Sequence, residues 1–482
     1  MSLPPRYQLK GDLQRVHFFA LSFGAIVGVG WIVVLGNWLE KAGPAGAILA
    51  FVAGGIVSLV VGFSYAKMGA LFPVSGGEVA YTYALFGLRT CYATGWFLTL
   101  SYIATTIFEA VSVGWVADTL APGINGPILY TVRGAPVHLG GLLLGLVGMV
   151  AITTLNYIGV KPASRVQNVF TYLKIVLVAV VAVAAVGWGQ TSNLHPLFLR
   201  RSGGILWAGV FSVFVTTPFW LSGFNSVAQV LEEKAPNTSP EKVSRMILFS
   251  IAASVLFYTV MILACSMTMP WMQLLRLNLP AASAFETGLH SHLLSRAVLL
   301  IALLGNVTVW NSNFLSGTRV LFALGRARII SRRFGAPHPV FGSPTAAVVF
   351  VGILGTSGIA LGRSAILPMV GLASSTFAIA YILVCYSAFK VQQMAPLKDH
   401  GLRGRATAAA GIVVSVCILV LTLYQPYLDA GKTFPLEWGL FLAWSILGAL
   451  FWTASSKLRR SMTEFERRQL ILGGEQDRAS QC

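Results

Sequence analysis

The sequence predicts an all-α polytopic membrane protein, and three observations carry that prediction. Of its 482 residues 56% are hydrophobic and only 10% are charged, where a soluble domain carries about a quarter. Apolar stretches near the ~20 residues that cross a bilayer recur from residue 16 onward. The net charge of +18 gathers in the connections between those stretches, as the positive-inside rule requires. The same excess in a soluble chain would point to nucleic acid; here the expected surroundings are a lipid bilayer, with no nucleic-acid partner. Residues up to Arg15 are polar and basic and the apolar run behind them is full length, so no cleavable signal peptide is expected. Cys91, Cys265, Cys385, Cys417 and Cys482 are scattered without a paired spacing, which excludes a disulfide framework or a zinc site.

Twelve spans are expected: Val16–Leu39, Ala45–Leu71, Thr90–Leu120, Leu139–Tyr157, Val166–Trp188, Gly204–Val230, Val243–Met269, Ser295–Leu324, Pro344–Leu361, Ala365–Phe389, Ala406–Tyr427 and Leu436–Ala454. Short connections make residues 1–456 one integral transporter domain, followed by a tail over 457–482. Placing both termini in the cytoplasm puts about 25 of the 34 Lys and Arg inside, driven by Arg326, Arg328, Arg332, Arg333, Arg403, Arg405, Lys457, Arg459 and Arg460. The location is a cell membrane, the inner membrane if the source is bacterial.

The first span contains Gly24-Ala25-Ile26-Val27-Gly28-Val29-Gly30-Trp31. Three glycines in seven residues weaken a helix by about 1 kcal/mol each relative to alanine. A break in lipid survives only where it is buried in protein or lines a ligand-bearing cavity. Gly28 to Gly30 therefore mark a candidate substrate site, whose bare amides suit an anion such as a carboxylate; close helix packing is the alternative. The sixth span is interrupted in the same manner, at Thr216-Thr217-Pro218-Phe219-Trp220-Leu221-Ser222-Gly223-Phe224-Asn225-Ser226, where Pro218 removes a donor and Gly223 relaxes the backbone. Breaks at positions one and six are what two inverted five-helix repeats produce, and paired breaks point to a transporter site.

Two charges fall inside spans. Lys174 lies about eight residues into the fifth, and Glu109 well inside the third; an intramembrane ionisable group is by default functional. Both are candidates for coupling substrate movement to protons, and a Glu109 facing the cavity would favour an amine or cationic amino acid. Asn306, Asn311 and Asn313 in the eighth span and Ser374, Ser375 and Thr376 in the tenth suit either a polar pathway or interhelical hydrogen bonds. Glu232 and Glu233 with Lys234, Lys242 and Arg245 read as a cytoplasmic salt-bridge network.

Six blocks in order carry a family resemblance: GAIVGVGW; Lys41-Ala42-Gly43-Pro44; Phe72-Pro73-Val74-Ser75-Gly76-Gly77-Glu78 with Tyr81 and Tyr83; Asn156-Tyr157-Ile158-Gly159-Val160-Lys161 leading to Arg165-Val166-Gln167-Asn168 and Lys174; Gly223-Phe224-Asn225 leading to Glu232-Glu233; and Ser316-Gly317-Thr318-Arg319 leading to Ala323-Leu324-Gly325-Arg326. Over roughly residues 13 to 430 the chain resembles the amino acid–polyamine–organocation (APC) superfamily of permeases. That resemblance implies a LeuT-type 5+5 inverted repeat with 12 transmembrane helices, helices 1 and 6 unwound mid-membrane. The repeats run about 13–190 and 203–390, and helices 11 and 12, about 406–455, are peripheral. It implies alternating-access secondary transport, with an amino acid or amine bound by Ala25, Ile26, Gly28, Val29 and Gly30 of helix 1 and Phe219, Trp220, Ser222 and Gly223 of helix 6. Phe219 or Trp220 would gate the substrate. It also implies that the Lys174 ammonium stands where sodium-coupled relatives hold a cation, against helix 1 carbonyls and helix 8 hydroxyls. Two positions depart from the pattern: Lys67 stands where many relatives are acidic, and Asn225 stands where Asp or Glu is frequent. Asn225 is then expected to bond the zwitterion or to cap the second half-helix.

No HExxH, paired intramembrane aspartates or Walker A motif is present, so neither a membrane enzyme nor an ATP-driven pump is expected, and no metal or cofactor. The function expected is a proton-coupled amino acid symporter; a polyamine or organic-amine carrier or exchanger, and a transporter-like nutrient sensor, are the alternatives.

Overall fold

The computed structural model describes residue 9 and residues 13–199, 206–277, 279–393, 401–430 and 434–473. Cys482 and His400 lie outside them, as does the end of the expected tail. Helix follows helix, in the order α1 Arg15–Ile26, α2 Gly30–Leu71, α3 Gly77–Leu120, α4 Leu139–Tyr157, α5 Val160–Trp188, α6 Leu206–Phe214, α7 Thr217–Trp220, α8 Ser226–Gln229 and α9 Pro240–Thr268. Then come α10 Trp271–Leu274, α11 Pro280–Gly288, α12 His292–Arg326, α13 Thr345–Ile359, α14 Ile366–Val391, α15 Gly401–Ala430, α16 Leu436–Ala454, α17 Ser456–Arg460 and α18 Glu464–Leu472. Among the described residues nine helices are long and apolar enough to cross a membrane, and three shorter apolar helices accompany them. The protein is a mostly helical, multi-pass membrane protein.

Two of the long helices are bent pairs. α2 runs through Gly43, at φ 72°, and Pro44; α3 runs through Gly87, at φ 78°. Both angles belong to the left-handed half of the map that glycine alone enters without strain. The expected second and third spans begin just after these kinks: α3 starts with an extra segment, from Gly77, that the hydropathy pattern assigns to a connection, whereas α2 joins the end of the expected first span to the second. The all-helical expectation is modified by one antiparallel hairpin, β1 Ile128–Val132 with β2 Ala135–His138. Its two-residue turn, Arg133-Gly134, has positive φ at both positions, the geometry that matches strand twist.

The core lies between α1, α2, α3, α9, α12 and α14, where α12 packs along α3, α2 along α9 and α14 along α3. α4, α5, α15 and α16 keep wide exposed apolar faces, with Val147, Val183, Val413 and Leu450 among the exposed side chains. Such faces suit a lipid surround. α16 is tied to α3 by two indoles: Trp96 donates Nε1–H to the Trp444 carbonyl and Trp444 donates its own to the Trp96 carbonyl, both at 2.9 Å, with the rings stacked at 4.6 Å.

Candidate functional site

α1 ends at Ile26 and α2 begins at Gly30, so Val27, Gly28 and Val29 form a non-helical link. Val27 still donates to the Phe23 carbonyl at 3.0 Å, but among the described residues the amides of Gly28 and Val29 reach no backbone acceptor. The released carbonyls are taken up by side chains. Lys174 of α5 donates Nζ–H to the Val27 carbonyl at 2.7 Å, and Tyr258 of α9 approaches the Ile26 carbonyl at 3.4 Å. One turn earlier Gln167 and Thr171 donate to the Ala20 carbonyl, and Ser312 to that of Leu21.

The second interruption is longer. α6 stops at Phe214, a single turn follows over Thr217–Trp220 with Pro218 in its first positions, and Leu221 to Asn225 are irregular before α8. Gly223 has φ 104°, and a Cβ placed on it would sit 2.5 Å from the Ala25 carbonyl oxygen. The two breaks therefore touch, backbone to backbone. Trp220 extends the contact: its ring occupies the space where a Gly30 Cβ would lie. Gly305 of α12 closes the opposite side, with its Cβ position 2.8 Å from the Gly28 carbonyl oxygen. Phe219, Trp220 and Ser222 are half-buried, whereas Ala25, Ile26, Gly28, Val29, Gly30, Gly223 and Asn225 are buried. Phe108, Phe219, Trp220 and Trp38 make an aromatic wall, linked pairwise at 6.4, 4.8 and 5.6 Å.

Both intramembrane charges converge on the first break. The fully buried Lys174 ammonium has three neighbours: the Val27 carbonyl, the Thr308 hydroxyl of α12 at 3.2 Å and the face of Phe23 at 5.3 Å. Glu109, also buried, receives Asn306 Nδ2–H at 2.8 Å, and its other oxygen lies 2.7 Å from where a Gly28 Cβ would be. A lone charge in this environment is costly. An ammonium at Val27 and a carboxylate at Gly28 are close enough to offset one another. The site is thus a pair of unwound segments with free amides, flanked by one cation, one anion and an aromatic wall, an arrangement suited to a small zwitterion.

A model of the amino acid permease family matches residues 13–451. The chain belongs to the amino acid permease family. It is 27% identical over 468 residues to the branched-chain amino acid permease BcaP of Bacillus subtilis, covering 95% of each chain. It is 23% identical over 463 residues to the lysine-specific permease LysP of Escherichia coli, covering 89% of each, and 26% identical over 331 residues to the methylthioribose transporter of B. subtilis, covering 67% of this chain and 69% of that one. These are transporters, and this permease is not an enzyme.

Not every residue singled out in the sequence sits where it was expected. Asn225 occupies the N-cap position of α8 but makes no cap bond. Its amide is donated instead to the Tyr102 hydroxyl at 2.7 Å and to Glu78 at 3.3 Å. Gln229 donates to the other Glu78 oxygen. Glu78, inside a motif block but unmarked as a site, is the buried centre of a polar cluster that ties α3 to the α8 segment. The expected partners of Glu232 and Glu233 also need correction. Glu233 forms a bidentate pair with Arg319 at 2.8 and 3.2 Å, and Glu232 pairs with Arg326 at 2.6 Å. Both arginines come from α12, seven residues apart and so on one helical face, rather than from the neighbouring Lys234, Lys242 or Arg245. The same end is latched by Leu13, whose amide donates to the Glu233 carbonyl at 2.9 Å and whose carbonyl accepts from Ala235 at 2.8 Å. Asn306 and Asn311 make interhelical bonds, to Glu109, Gln167 and Asn156. Asn313 and Ser374 bond carbonyls of their own helices, while Ser375 and Thr376 do so and also make interhelical bonds, to Thr422 at 3.2 Å and Ser101 at 2.6 Å. Tyr258 had no signal in the sequence, yet its hydroxyl donates to the Trp220 carbonyl at 3.0 Å while facing the Ile26 carbonyl, and so spans both breaks.

Proposed function

We propose that this permease is a secondary active transporter that carries an amino acid across the cell membrane by alternating access, coupled to protons. In this reading twelve spans form a LeuT-type pair of inverted five-helix repeats, about 13–190 and 203–390, with α15 and α16 as peripheral helices 11 and 12. Residues 1–456 are the transporter domain and 457–482 a cytoplasmic tail, both termini lie in the cytoplasm, and a bacterial source would place the protein in its inner membrane. The contact of the Gly223 backbone with the Ala25 carbonyl beside the free Gly28 and Val29 amides carries the proposal, because two breaks in contact create one site.

The substrate carboxylate sits on the amides of Gly28, Val29 and Gly30, at the positive end of α2. Its ammonium lies toward Ala25, Ile26 and the carbonyls around Ser222 and Gly223. The side chain meets Phe108, Phe219 and Trp220, which favours an apolar amino acid, in keeping with the similarity to a branched-chain permease. Trp220 or Phe219 closes over it. Charged Lys174 holds the Val27 carbonyl; on losing its proton it releases that grip and frees the end of α1 to move. The Leu13, Glu232 and Glu233 contacts are the inner gate that such movement opens.

Uptake into proteoliposomes tests this. The expected result is saturable leucine uptake in sodium-free buffer, accelerated when the outside is more acidic. Binding without uptake would mean a sensor. Amines that lack a carboxylate competing as well as leucine would defeat the amide cradle. The position of Glu109 beside Gly28 favours a second reading, a cationic amino acid or amine as cargo; lysine competing more strongly than leucine would decide for it.

A further inference from the structure

The kink of α3 at Gly87 and the end of α16 border a cleft of about 660 Å³ lined by Phe86, Leu88, Arg89, Trp452, Arg459 and Arg460, with no acidic side chain among the described residues of its wall. Its size is that of a small-ligand site. It stands at the point where the apolar run of α16 stops at Ala454 and basic α17 begins, at the water end of a membrane-spanning helix.

The wall is built rather than incidental. Arg459 stacks on the Trp452 ring at 3.7 Å, donates to the Trp452 carbonyl and reaches the Ile329 carbonyl at 3.4 Å. Tyr92 of α3 packs on the other side of Trp452 at 4.9 Å and bonds the Gly448 carbonyl at 2.6 Å, so the indole is fixed between two helices. Across the cleft, Phe86 stacks on Tyr386 at 5.0 Å beneath the Lys390 ammonium, itself held on the Leu85 carbonyl at 2.9 Å. The guanidinium groups of Arg89 and Arg460 are left: both are exposed and neither has an anionic partner among the described residues.

A fixed aromatic floor beside two unneutralised guanidinium groups, at the edge of the apolar layer, matches a molecule with an apolar body and an anionic head. We infer that this cleft binds an anionic phospholipid, its phosphate between Arg89 and Arg460 and its glycerol and upper acyl chains on Phe86, Leu88 and Trp452. A soluble phosphate would use the two arginines but gain nothing from the rings. A zwitterionic lipid would bring its own cation against them. Juxtamembrane arginines each strengthen binding to an anionic lipid by about fivefold, so this pair supplies about thirtyfold.

The test is native mass spectrometry of the full-length permease, with phosphatidylglycerol or phosphatidylcholine titrated into detergent. Phosphatidylglycerol is expected to be retained in preference, and the Arg89→Gln/Arg460→Gln variant to lose about thirtyfold in affinity for it. The Arg276→Gln/Arg296→Gln variant removes equal charge from exposed positions before and at the start of α12, whose opposite end leads to Ile329, and is expected to bind as the parent does. Excess inorganic phosphate is expected not to compete. Equal retention of the two lipids, equal losses in the two variants, or displacement by inorganic phosphate would each overturn the assignment. The last would make the cleft a free-phosphate site. None of these outcomes depends on what the permease transports.

Discussion

Gly223→Ala isolates the contact between the two broken helices, because a second glycine supplies its control. Gly223 and Gly87 both lie at positive φ, 104° and 78°, but a Cβ on Gly87 meets nothing within 4 Å, whereas one on Gly223 falls 2.5 Å from the Ala25 carbonyl oxygen and 2.8 Å from its carbon. Each alanine therefore carries backbone strain of about 1–3 kcal/mol. Only the Gly223 variant adds overpacking, about 1–3 kcal/mol more, since the opposing atoms are backbone and cannot rotate away. Restoring an ordinary 3.4 Å contact moves the breaks apart by about 0.9 Å (3.4 − 2.5), which is large for a site that holds a ligand by hydrogen bonds. Initial leucine uptake in proteoliposomes is expected to fall at least tenfold in Gly223→Ala, an arbitrary threshold of about 1.4 kcal/mol, with a lower melting temperature than Gly87→Ala, whose uptake stays near that of the parent. Equal uptake and equal melting temperatures in the two variants would refute a packed contact between the breaks.

Three further outcomes follow from contacts at the ends and centre of the site. Lys174→Ala removes the donor to the Val27 carbonyl and leaves Glu109 without its nearby cation; acceleration of uptake by an acidic exterior is expected to vanish while exchange persists, with the Glu109→Gln/Lys174→Ala double variant more stable than Lys174→Ala alone. Unchanged pH acceleration would remove Lys174 from coupling. Tyr258→Phe deletes one hydroxyl spanning both breaks, a loss of about 1 kcal/mol, and is expected to raise KM about fivefold; an unaltered KM would show that the hydroxyl does not order the site. In α18, Glu466 is held below its ordinary pKa of 4.5, first by the Thr463 amide at 2.8 Å and then by the Thr463 hydroxyl at 2.9 Å. A depressed carboxylate stabilises its helix above the ordinary value and loses that contribution as pH falls through the lowered one. Hydrogen-exchange protection in α18, taken relative to the intrinsic rate at each pH, should therefore fall on acidification, and Glu466→Gln should blunt the change.

The first break is legible in the sequence because three glycines crowd one apolar stretch, and the second because Pro218 and Gly223 share a span. Their contact is not legible, since it depends on a fold that brings residues about 200 apart together. The end-cluster pairs were misassigned for a related reason. A reading along the chain gives Glu232 and Glu233 the nearest cations, but Lys234, Lys242 and Arg245 had no reason to point inward. Arg319 and Arg326 did show a signal: two arginines seven residues apart, on one face near the end of a membrane-spanning helix. Glu78 was hidden in an expected connection, where a carboxylate passes for a solvated one until Asn225 and Gln229 are seen to cover it. The segment ahead of the third span was read as a connection because Gly87 bends α3 there, and Gly43 likewise bends one helix where hydropathy separates the first span from the second.

The paired indoles of Trp96 and Trp444 fasten the middle of α16 to α3. α16 touches the core through few side chains, and Gly448 lets it approach so closely that an added Cβ would meet the Trp96 ring nitrogen at 2.5 Å. Phe441 stacked on Phe97 and Trp452 packed on Tyr92 add contacts on either side of that point, so α16 is held to α3 along its length and moves with it. A fluorophore at the exposed Leu442 would therefore track the travel of α3 from the lipid side, giving a readout of the working cycle that leaves the cargo site untouched.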